Sequence, residues 1–174
     1  MMHICTGALK ERGFTLIELL LYVAIVSVLL LSVVGFYTLA LDSRIKNQAI
    51  AEVNQQGTLV LDQITQTIRN ATSITTPAAG ASGASLAMVV PTGSLSPTTY
   101  ALNGTTLQIT EGAAAAVSLT SSDVKVSALT FKNLTRTGTN GLVQVSFVVS
   151  YNNATGRAGY DYQKTFTTSA EVGW

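Results

Sequence analysis

One cysteine and one histidine are present in the chain, Cys5 and His3, and both lie before Gly13. From Phe14 onward there is neither thiol nor imidazole. That excludes a disulfide-stapled exported fold, thiolate or imidazole metal sites, and catalysis built on histidine or cysteine. Charge is also scarce, at 11% of residues, and from Phe14 onward eight basic and eight acidic residues cancel. In the C-terminal half Lys125, Lys132, Arg136, Arg157 and Lys164 are offset by Glu111, Asp123, Asp161 and Glu171, so there is no basic stripe of the kind that binds nucleic acid. Asp161 and Glu171 are isolated in sequence, which argues against calcium, and no metal site and no cofactor are expected. With no paired-carboxylate motif either, the composition does not describe an enzyme.

Proline is absent between Phe14 and Asn70, and this is where the chain is richest in apolar residues. The mean hydropathy of +0.38 owes much to one block, Phe14 to Leu41, in which Glu18 is the only charged residue. As a helix, this block of about 28 residues is roughly 42 Å long, against a hydrocarbon core of about 30 Å. It is about twice as long as the apolar region of a cleaved secretory signal, which runs to about 7–15 residues. Flanking charge does not orient it, because Lys10 and Arg12 on one side face Arg44 and Lys46 on the other.

No turn signal separates this block from the polar stretch after it, so one long helix is expected. Ile45, Ala49, Val53, Val60, Ile64 and Ile68 recur mostly at four-residue steps, with Ile50 and Leu61 widening the stripe. Gly57 interrupts the stripe at about 1 kcal/mol relative to alanine, which suggests a strand packed closely there. Asp42, Arg44, Lys46, Glu52, Asp62 and Arg69 fall mostly off the stripe and read as a solvated face. Ala71 to Pro97 holds all three prolines and reads as loop, apart from a strand at Leu86 to Val90.

Tyr100 to Ile109 reads as a hairpin, with Asn103-Gly104 suited to a type I′ turn. Val124 to Ser127 alternates, and Leu129 and Phe131 continue one residue out of phase, which a β-bulge near Ala128 would reconcile. Val143, Val145, Phe147, Val149 and Tyr151 put apolar side chains on one face of a further strand, and Tyr160 to Ala170 supplies the last. The expected fold is α+β: the long N-terminal helix packed on an antiparallel sheet of about five strands. Asn-x-Ser/Thr triplets at Asn70, Asn103, Asn133 and Asn153 read as chance in a threonine-rich chain.

Gly13-Phe14-Thr15-Leu16-Ile17-Glu18, preceded by Lys10-Glu11-Arg12 and followed by the apolar helix, closely resembles the processing site of type IV pilins and type II secretion pseudopilins. The resemblance implies a leader, residues 1–13, cut on the cytoplasmic side between Gly13 and Phe14 by prepilin peptidase, with N-methylation of Phe14. It implies residues 14–41 in the cytoplasmic membrane in contact with lipid, residues 42–70 as the amphipathic half of the helix, and residues 71–174 as a β-rich exported head. Glu18, at the fifth position of the processed chain, would meet the amino terminus of a neighbouring subunit; otherwise it snorkels to the headgroups. Implied partners are other pilin or pseudopilin subunits and an inner-membrane assembly platform. The order of later elements is similar to minor pilins of the W type and pseudopilins of the J type. The alternative is a membrane-tethered binding module, an adhesin or DNA-uptake subunit, which an aromatic or basic cluster on the exported sheet would favour.

Overall fold

The computed structural model describes residues 14–154, 156 and 160–173. An α-helix, α1, runs from Leu16 to Asn70. The chain divides into two compact units between Ser43 and Arg44. In the first unit, the side chains from Phe14 to Leu41 are exposed throughout. The second unit holds the core.

From Ala49 onward α1 buries the expected stripe, with Ala49, Val53, Val60, Ile64 and Ile68 all nearly inaccessible. Ile45, Ile50 and Leu61 are half-buried at its margins. Against this stripe stand antiparallel strands in two sheets rather than the single sheet expected. One sheet has the order β1-β3-β4-β5-β6, built from Ser73–Thr76, Leu86–Val89, Thr98–Asn103, Thr106–Glu111 and Val117–Ser118. The other has the order β2-β7-β8-β9, built from Ser82–Gly83, Val124–Asn133, Leu142–Tyr151 and Gln163–Glu171.

Ala71 to Pro97 is therefore not one loop with a single strand. β1 and β2 lie inside it, too short and too polar to show a period of two; β1 is held by β3, within the same stretch, and β2 by the distant β7. The last strand begins at Gln163, later than the apolar pattern suggested.

Core formation follows the alternation of strand side chains. In β8, Val143, Val145, Phe147 and Val149 are fully buried, and Gln144, Ser146, Val148 and Ser150 point the other way. In β7 the register slips between Ser127 and Thr130, where Ala128 has φ of 49°. The extra residue restores Leu129 and Phe131 to the buried face, so the bulge is where the phase change predicts it.

The hairpin pairs Tyr100 with Ile109 and Asn103 with Thr106. Its loop residues are therefore Gly104 and Thr105, not Asn103 and Gly104. Gly104 alone has positive φ, at 63°, which is the pattern of a type II′ turn with glycine first. Asn103 stays in the ladder because Leu102 and Leu107 pair across it.

Gly57 lies in the stripe where a side chain is missing, and the ring of Phe166 from β9 fills the space. A Cβ at Gly57 would overlap Cε2 and Cζ of that ring. Polar ties join the same layers: Tyr100 Oη and Thr67 Oγ1 lie 2.7 Å apart, and Lys164 Nζ donates to Asn54 Oδ1 at 2.7 Å.

Candidate functional site

The motif residues open α1. Gly13, the expected residue before the cut, lies outside the described residues, as do Lys10, Glu11 and Arg12. Phe14 is exposed. Thr15 is the residue just before the helix, and its carbonyl accepts the first helical bond, from Leu19 N–H at 3.2 Å. The Glu18 N–H lies 3.4 Å from Thr15 Oγ1, so Thr15-Leu16-Ile17-Glu18 has the Thr-x-x-Glu spacing and half of the bonding of a capping box.

This placement gives Glu18 a role that composition does not reveal. Its carboxylate stands in the first turn, beside the N–H groups that open the helix. Tyr22, one turn later, extends its hydroxyl toward Glu18 Oε1 at 3.4 Å. The Phe14 ring meets the Tyr22 ring edge-on, with centroids 6.0 Å apart. Thr15 and Tyr22 were legible as candidates only through their spacings of three and four residues from Glu18. Sequence reasoning assigns roles to Gly13, Phe14 and Glu18 and to neither of these two.

The helix beyond this turn is suited to lipid. It is long and apolar enough to cross a membrane, and its most apolar stretch has no buried residue. Its hydroxyls return to the backbone of the same helix: Ser27 Oγ donates to Val23 O at 2.7 Å, Ser32 Oγ to Val28 O at 2.9 Å, and Thr38 Oγ1 to Gly35 O at 2.8 Å. A polar group satisfied within its own helix asks nothing of hydrocarbon, where an unmade hydrogen bond is costly. Leu31 and Phe36, about three-quarters exposed, show how much apolar surface is left for a non-aqueous surrounding.

Residues 9–34 match the family model of the prokaryotic N-terminal methylation motif. This is the type IV pilin and pseudopilin signature. The first part of α1, from Leu16 to Val34, is its apolar part, and the capping turn falls inside it. The prepilin motif implies processing by prepilin peptidase and assembly with other pilins. No curated protein and no solved structure matches the chain.

Elsewhere, among the described residues, no three histidine, cysteine, aspartate or glutamate side chains come together as metal ligands. Asp161 accepts from Asn153 Nδ2 at 2.8 Å, and Glu171 lies at the far end of β9. Asn133 is buried, donating from Nδ2 to Pro77 O at 2.8 Å and accepting at Oδ1 from Thr135 N–H at 3.0 Å. It therefore ties the end of β7 to the chain before β2.

Proposed function

We propose that the chain is a structural subunit, a minor pilin or pseudopilin, incorporated through α1 into a type IV pilus or a type II secretion pseudopilus. The carrying observation is the methylation motif at the head of a helix whose apolar residues from Leu16 to Leu41 are all exposed. That surface has two fitting environments, the cytoplasmic membrane before assembly and the helices of neighbouring subunits after it. On this reading the N-terminus is cytoplasmic and the unit from Arg44 onward is exported. Prepilin peptidase cuts between Gly13 and Phe14, and Phe14 is N-methylated.

In this mechanism the Thr15 cap and the Tyr22 hydroxyl hold Glu18 on the first turn, where it answers the amino group of Phe14 in an adjacent subunit. Breaking such a pair in a low-dielectric bundle costs about 3–5 kcal/mol. Glu18→Ala is expected to insert and be cut normally, since losing a charge makes the span more apolar. It is expected to be depleted from sheared filaments. Gly13→Val is expected to retain its leader. Intact mass of the native protein, with immunoblots of the sheared fraction, tests both substitutions. A leader recovered uncut from cells with active peptidase sinks the processing assignment, and wild-type filament levels of Glu18→Ala sink the pairing role.

A further inference from the structure

We propose that the end of the β7-β8-β9 sheet carries a binding cleft for a short neutral oligosaccharide. Where β8 ends and β9 begins, the Tyr151 N–H donates to Tyr162 O at 2.9 Å, which sets two tyrosines side by side at the sheet end. Both are half-buried and pack against the core, and Tyr160 stacks on Tyr151 with centroids 6.3 Å apart and planes at 21°. The rings are therefore held by packing. Beside Tyr151 and Tyr162 opens a cleft of about 520 Å³, within the roughly 300–1,000 Å³ typical of small-molecule sites.

The rest of the lining is polar, and its chemistry selects the ligand. Lys125 and Gln163 offer donors, Asp161 a carboxylate and Gln163 also an amide oxygen. Sugar hydroxyls donate and accept at once, so they need a wall with both kinds of group. Their C–H faces need an aromatic body with a polar tip, which tyrosine provides. Among the described residues of the lining, the cation Lys125 is matched by the anion Asp161, which would repel a phosphate backbone. That balance favours a neutral saccharide over nucleic acid. Asn153 Nδ2 donates to Asp161 Oδ1 at 2.8 Å and steadies the carboxylate at the cleft wall.

The test uses the full chain in lauryldimethylamine oxide, a detergent without a sugar headgroup, with maltotetraose, cellotetraose and chitotetraose as probes. Saturation-transfer NMR is expected to show transfer to at least one of them. Lys125 and Asp161 are both exposed, so Lys125→Ala and Asp161→Ala spare the core. Each is expected to weaken that binding at least tenfold, and Lys132→Ala, outside the cleft, to leave it unchanged. Unaltered circular dichroism in all three variants confirms that the fold is kept. Absence of transfer to all three probes overturns the proposal, as does transfer that survives the Lys125→Ala and Asp161→Ala pair. Preferential binding of oligothymidylate also overturns it. None of these results bears on leader removal or filament incorporation, which are read separately by mass and by shearing.

Discussion

Replacing Gly57 by alanine sets two known effects against each other. In a helix interior alanine is favoured over glycine by about 0.8–1.0 kcal/mol. Here the new methyl would overlap the outer atoms of the Phe166 ring. That ring cannot simply withdraw, because it stacks on the fully buried Phe147 with centroids 5.6 Å apart and an interplanar angle of 18°. Overpacking of this kind costs about 1–3 kcal/mol. The steric term wins, and Gly57→Ala is expected to destabilise the β-rich unit by about 1 kcal/mol. Phe166→Leu removes the Cε and Cζ atoms that the methyl would strike, so in that background Gly57→Ala is expected to stabilise by about 1 kcal/mol instead. The coupling between the two sites is then about 2 kcal/mol. Pulse proteolysis of the full chain in mild detergent across a urea series measures this. With a urea slope of about 1–3 kcal/mol/M, each effect moves the midpoint by roughly 0.3–1 M, in opposite directions in the two backgrounds. An equal stabilising shift in both backgrounds would show that the ring yields freely and would refute the packing argument.

Ala128→Gly is expected to raise the melting temperature, because the exposed Ala128 sits at φ of 49° and loses no packing on becoming glycine. Relief of left-handed strain, less the entropy cost of glycine, leaves a gain of up to about 1 kcal/mol, and a lower melting temperature would contradict it. Tyr100→Phe is expected to cost about 1 kcal/mol at neutral pH by removing the bond to Thr67, whose hydroxyl keeps its own bond to Gln63 O at 2.9 Å. Alkaline behaviour supplies a second readout. Burial, with a smaller contribution from Glu111, raises the Tyr100 pKa above its ordinary 10.0. The folded chain then keeps a phenol proton that the unfolded chain loses, so wild-type stability falls as pH rises past 10. The penalty of Tyr100→Phe should shrink over that range in urea titrations, and a constant penalty would argue against the shift.

Features dictated by local chemistry were legible in the residues alone. The unbroken apolar block and the absence of proline required a long helix, and the four-residue recurrence from Ile45 to Ile68 named its buried face. The phase change between Val126 and Leu129 located a bulge, and the gap in the stripe at Gly57 announced a close neighbour. The motif was legible because it is a contiguous run of residues. That Phe166 fills the gap came from long-range packing, since nothing in the sequence couples residues so far apart. Such packing also decided that the strands form two sheets. β2 exists because β7 lends it hydrogen bonds, not because Ser82 and Gly83 favour extended chain. The turn at Gly104-Thr105 was set by the pairing of Leu102 with Leu107, which overrode the local preference of Asn103-Gly104. Tyr151, Tyr162, Lys125 and Asp161 share a cleft for the same reason: strand register brings together residues that sequence order keeps apart.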